Sequence, residues 1–183
     1  SAMSGPMKIL PYPNPFLRKR AESVDRFDAS LGQLIDAMKA TMHSEDGLGL
    51  AATQVGVDLR LLILSPLALE GESGQGQPDI VVINPQITWQ SNEEELGSEG
   101  CLSFPGVYIQ VSRPLKVKIA ALNEAGKAFE LEGEGLGARA ILHEIDHLNG
   151  VVMTDHVSHL QRSRALKKHQ RNQEAIRKTK KNR

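Results

Sequence analysis

Two histidines separated by three residues, with a glutamate directly after the first, stand at His143-Glu144-Ile145-Asp146-His147. On an α-helix each residue turns the chain by about 100°, so side chains four apart lie about 40° from one another on one face. His143 and His147 can then reach a single ion. Glu144 sits on the flank of that face, where it suits a base acting on water beside the ion better than a ligand. A catalytic ion of this kind takes three protein ligands and keeps a fourth position open. Spacing alone leaves the third ligand undecided. His156 and His159 follow downstream but lack the glycine-turn-histidine spacing of the common zinc proteases. Cys101, in Glu99-Gly100-Cys101-Leu102-Ser103, is the other candidate, although a lone cysteine is more often a small buried hydrophobe. Glu99 or Asp146 could orient a metal-binding imidazole, or equally form an ordinary ion pair. A third segment, Gly47 to Gly56, sets two close glycines before one amide side chain. Its glycines let a substrate backbone come close, and Gln54 offers an NH₂ donor to an oxyanion. By itself this segment reads as a glycine-rich turn leading into a helix.

The histidine pair has meaning only on a helix, and the surrounding pattern predicts one. After Gly133 the apolar residues Leu136, Ala138, Ile141, Leu142, Ile145 and Leu148 recur at helical spacing, and Asn149-Gly150 supplies the stop. A second amphipathic helix is predicted from about Ser30 to Met42, with Asp28 or Ser30 as its cap. Leu59–Leu64, Ile80–Ile83, Lys116–Leu122 and Ala128–Leu131 read as strands, the last two joined by a turn at Asn123–Gly126. Gly71–Pro78 reads as a loop, and Pro11, Pro13 and Pro15 impose an extended lead-in. The expected fold is therefore α+β: antiparallel strands packed around the metal-binding helix, with a C-terminal helical extension from about Ser158.

The chain has 183 residues, 40% hydrophobic and 24% charged, with one cysteine. That is one domain's worth of sequence, with no intrachain disulfide, and it favours a reducing compartment. No apolar run approaches the ~18 residues of a membrane span, so no membrane association is expected. No signal peptide is read either, and Ser1-Ala2-Met3 reads as a cloning scar. The formal charge of zero conceals an asymmetry. Residues 161–183 hold ten Lys/Arg against one acid, leaving twelve basic and 21 acidic residues elsewhere. An acidic body with a basic tail implies either an anionic partner for the tail or a merely solvated helix end.

Taken together, GLGLAATQ (Gly47–Gln54), EGCLS (Glu99–Ser103) and HEIDH (His143–His147) resemble, in order and spelling, the three motifs of the peptide deformylase family. The resemblance extends over about Met7 to Val157, so a catalytic domain over 7–157 and a basic tail over 158–183 are expected. It implies a metal-dependent amidase that removes the N-formyl group from the initiator methionine of new proteins and releases formate. It implies Cys101, His143 and His147 as ligands of one divalent ion, ferrous iron in the cell with zinc, nickel or cobalt as substitutes. It implies Glu144 as the proton carrier, and Gln54 with the backbone N–H of Leu102 as oxyanion donors. Leu48, Gly49 and Gly100 would bind the peptide backbone, while Leu136, Arg139 and Ala140 would border the methionine pocket. N-formylmethionyl nascent peptides, a ribosome contact through the tail, and the bacterial cytoplasm complete the implied setting.

Two places depart from the family pattern. Arg139 and Ala140 stand where members carry an apolar residue and often a cysteine, and Tyr108 where many bacterial members carry an arginine. Arg139 is read as snorkelling to solvent on its apolar stem, or else as polarising one wall of the pocket. Two other functions compete: a general metallopeptidase, which needs a downstream ligand and has no use for Cys101, and a non-enzymatic RNA-binding module acting through the tail.

Overall fold

The computed structural model describes residues 5–182, so Ser1-Ala2-Met3 lies outside the described residues. A five-stranded antiparallel sheet runs in the order β1-β2-β3-β6-β7, made of Gly49–Ala51, Leu61–Leu64, Ile80–Gln90, Lys116–Leu122 and Ala128–Glu134. Its two faces are covered by different helices, and β2 shows why. Leu61 and Ile63 pack with Leu34, Ile35 and Met38 of α1 (Ala29–Ser44), whereas Leu62 and Leu64 pack with Ile141, Ile145 and Leu148 of α3 (Leu136–Leu148). A strand with both faces buried reads as an unbroken apolar run, which is how Leu61–Leu64 reads. The first helix is capped by Asp28, whose carboxylate accepts from the Leu31 N–H at 3.0 Å.

The α+β architecture, α1, α3, β6 and the Asn123–Gly126 turn are as expected. The third strand runs on past Ile83 to Gln90, because a register shift at Asn84-Pro85 breaks the alternation that a sequence reading follows. Within Gly71–Pro78, Gly71–Gly74 forms a 3₁₀ turn directly after the short α2 (Pro66–Glu70). The glycine-rich segment before Gln54 is half strand and half turn: β1, then a 3₁₀ turn over Ala52–Val55. A separate hairpin of β4 (Glu94–Gly100) and β5 (Tyr108–Pro114) was not predicted. Its first strand holds one large apolar residue in seven, Leu96, so it carries no strand-like pattern.

The last helix, α4 (His159–Lys181), begins at the Ser158 cap and builds no core of its own among the described residues. Its proximal half instead joins a third cluster: Ala165 packs with Leu17, Phe104, Val107, Val152 and Met153. His169 is buried and bonds the Tyr12 carbonyl at 2.6 Å, and Asn172 donates to the Pro105 carbonyl at 3.0 Å. From Glu174 onward every described residue is exposed.

Candidate metal centre and its cleft

The helix α3 follows the cap residue Gly135 and carries His143 and His147 into the interior, on a face continuous with its apolar one. Cys101 follows directly on β4. Its Sγ lies 3.3 Å from His147 Nε2, and the ligand atoms of Cys101, His143 and His147 all fall within 4.8 Å of one another. These three could hold one ion. His156 is engaged elsewhere, with its Nε2 2.7 Å from Asp146 Oδ2.

The surroundings prepare the imidazoles for that use. His143 Nδ1 lies 2.6 Å from Glu99 Oε1, which leaves Nε2 for a ligand role. Asp146, the other acid considered for this task, pairs with Arg113 and His156. Burial alone would raise the Glu99 carboxyl, but bonds from His143 and Arg113 outweigh it and hold the group well below the usual carboxylate range. Burial, with the neighbouring His143, lowers the His147 imidazole well below its ordinary value. That direction favours the neutral ring that a metal ligand needs. Two imidazoles and a thiol form a soft, nitrogen–sulfur donor set that suits iron, zinc, cobalt or nickel and not magnesium or calcium. The donor chemistry fits the ion that the sequence implies.

Glu144 lies beside the cluster and is not among its donors. It is buried, its Oε1 has no protein partner among the described residues, and burial pushes its carboxyl up to about 7. A group at that value can both take and return a proton near neutral pH. A Cβ built on Gly49 would meet Glu144 Oε2 at 2.7 Å, so only glycine lets the edge of β1 pass this close. Gln54 is oriented as well: its Oε1 accepts from the Ala51 N–H at 3.0 Å. Its NH₂ therefore faces Cys101 Sγ at 3.6 Å and Ser103 Oγ at 3.2 Å. A cleft of about 470 Å³ opens over these groups. Leu48, Gly49, Gly100 and Leu102 line it, as do Leu136, Arg139 and Ala140, whereas His147 lies beneath the lining.

Arg139 does not reach solvent, which corrects the snorkelling expectation. It is 5% exposed, and its guanidinium is bonded to Glu99 Oε2 at 3.1 Å and to the carbonyls of Val111 and Glu95 at 2.7 and 2.8 Å. Three fixed acceptors replace the water that a snorkelling arginine would seek. Arg113 was missed as a site residue. It holds both oxygens of Glu99 and, through Nη1, Asp146 at 2.7 Å. A single arginine in a strand gives no sign of this, because these partners come from two other elements, β4 and α3.

A sequence model of the polypeptide deformylase family matches residues 6–163. The chain is 45% identical over 163 residues to a peptide deformylase of Mesorhizobium japonicum, covering 89% of each chain. It is 43% identical over 153 residues to the chloroplastic/mitochondrial peptide deformylase 1B of Arabidopsis thaliana, which covers 84% of this chain. It spans 55% of that plant relative's length. The crystal structure of a peptide deformylase from Legionella pneumophila superposes with a TM-score of 0.87 at 42% identity, covering 94% of this chain and 98% of that one.

Proposed function

The chain belongs to the polypeptide deformylase family, and from that membership we propose that it hydrolyses the N-formyl amide of newly made peptides, releasing formate, with Glu144 moving the proton. The observation that carries this reading is the Cys101, His143 and His147 cluster with a Glu144 oxygen beside it that has no partner among the described residues. Cys101, His143 and His147 would hold one divalent ion, ferrous iron in the cell, which when bound acts as a Lewis acid and makes water more acidic. Zinc, nickel or cobalt would substitute.

Glu144 takes the proton from the attacking water and later returns it to the departing amine nitrogen. The Gln54 NH₂ and the backbone N–H of Leu102 donate to the oxygen that becomes an oxyanion when the formyl carbon is attacked. β1 is the edge of its sheet, so an extended peptide can add there as a further strand, bonded by the backbone of Leu48 and Gly49 on one side and Gly100 on the other. Leu136, Ala140 and the stem of Arg139 would border the methionine side chain.

Formylated chains are met as they leave a ribosome, so the basic residues of α4 would bind there, in the cytoplasm of a bacterium. No helix among the described residues is long and apolar enough to cross a membrane. The test of the central reading is formate release from a formyl-methionyl tripeptide by anaerobically iron-loaded protein, beside the acetylated and unmodified peptides. Hydrolysis confined to the formyl peptide is expected. No release, or equal cleavage of all three, overturns it.

A further inference from the structure

We infer that Arg139 is a positioning residue that locks the β4–β5 hairpin to α3, so that Cys101 and Glu99 from the hairpin meet His143 and His147 from the helix in metal-binding register. The inference rests on the metal centre proposed above. The centre is assembled from two pieces of chain with no local connection: Glu99 and Cys101 arrive on the hairpin, the two histidines on the helix. Something must hold the pieces together to within a few tenths of an ångström for three ligands to share one ion.

Arg139 and His143 are four residues apart on α3, one turn above the other on the same face. Glu99 spans that turn, with Oε2 accepting from Arg139 at 3.1 Å and Oε1 lying 2.6 Å from His143 Nδ1. The same guanidinium takes one carbonyl from each hairpin strand, Glu95 of β4 at 2.8 Å and Val111 of β5 at 2.7 Å. One helical side chain thus fixes both strands and the carboxylate that orients the imidazole. Arg113 makes the reciprocal tie, from the hairpin to Asp146 on the helix, but bonds neither of those carbonyls.

Gly97 marks the same contact from the other side. A Cβ there would stand 2.9 Å from Nη2 and 3.1 Å from Cζ of Arg139, so the guanidinium lies against bare strand backbone. Arginine's five N–H donors are fixed in one plane and spread over the guanidinium, so it can reach three separate acceptors in set directions, whereas lysine's three donors rotate about a single nitrogen.

The test is zinc affinity, measured by chelator competition on the full chain, for the parent, Arg139→Met, Gly97→Ala and the double variant. Loss of a group supporting a metal ligand weakens binding by about 10–100-fold, and Arg139→Met is expected in that range. Gly97→Ala should weaken zinc in the same direction by displacing the guanidinium, yet add nothing in the Arg139→Met background, where that space is vacant. With the tripeptide, kcat should fall in step with zinc occupancy. A merely structural arginine would lower the melting temperature of the zinc-free protein and leave zinc affinity alone. Zinc affinity of Arg139→Met within twofold of the parent's, or additive effects in the double variant, overturns the inference while the parent's deformylation leaves the family reading standing. If Arg139→Met fails to fold, Gly97→Ala decides: undiminished zinc affinity there overturns the inference. A parent that binds no zinc overturns both.

Discussion

Glu144 and Cys101 differ in what their loss should do, because only one belongs to the donor cluster. Glu144→Ala removes the proton carrier and leaves the three donors in place. Metal content should stay near stoichiometric, measured by atomic emission, while the hydrolysis rate falls by roughly two to four powers of ten. Protein that purifies without metal, or keeps most of its rate, contradicts that role. Cys101→Ser should strongly impair metal retention, since the thiolate bond of about 2.3 Å is gone. His156→Ala should leave retention unaltered, because His156 bonds Asp146 and lies outside the cluster. The opposite pattern in the same chelation assay would mean the third ligand is elsewhere. These residue types were legible in the sequence because four-residue spacing on a helix is a local property. Spacing alone left the choice between Cys101 and His156 open and only the motif resemblance made it, since Cys101 stands 42 positions before His143 and the fold is what brings them within reach.

At the scale of elements, α4 divides into two parts with different expected roles. Its proximal half buries Ala165 and His169 against Phe104, and Phe104 also lines the cleft. Its distal part, from Glu174 onward, is exposed at every described residue. Cutting after Gln173 should leave the melting temperature and tripeptide hydrolysis as in the parent, while reducing the salt-sensitive cosedimentation with ribosomes expected of the full chain. Cutting after His159 should in addition lower the melting temperature by several degrees and raise KM, as the floor under the Leu102–Val107 turn is removed. Unchanged melting and KM in the shorter form would show that this packing contributes nothing. The helix was legible from Ser158 onward, but its division was not. Ala165 and His169 are unremarkable in an otherwise basic stretch, and their burial depends on where Phe104 lies.

Across the whole molecule two electrostatic expectations follow. The ten Lys/Arg of residues 161–183 face an otherwise acidic chain, so ribosome association should fall by roughly a power of ten or more between low and moderate salt, as phosphate contacts release counterions. Binding indifferent to salt in sedimentation assays would contradict it. The second expectation concerns acid. Arg18 and Asp155 tie the turn at Pro15–Arg18 to that at Met153–His156 at 2.6 Å. Burial would raise the Asp155 carboxyl, but Arg18 and the Val152 N–H outweigh it and hold the group below its ordinary value of 3.8. The folded chain thus binds fewer protons there than the unfolded one. This contribution is complete above the ordinary value and is lost as pH falls through the folded one. Asp155→Asn should therefore be less stable than the parent at neutral pH, with the gap closing in acid, as followed by circular dichroism. A gap constant with pH would assign the loss to packing.

Amphipathic period, capping and turn chemistry act over a few residues, and they determined α1, α3, the turn at Asn123–Gly126 and the face that holds His143 and His147. The three motifs, read jointly, determined the family. The tertiary structure alone decided that the polar segment Glu94–Gly100 is a strand, that Glu99 and not Asp146 meets His143, and that Arg139 turns inward. The physical reason is common to all three. A buried charge or a polar strand is stable only when its partners are supplied, and here they come from other elements: Arg113, Arg139 and His143 around Glu99. Local pattern can identify a group that needs partners, but only the packed chain can supply them.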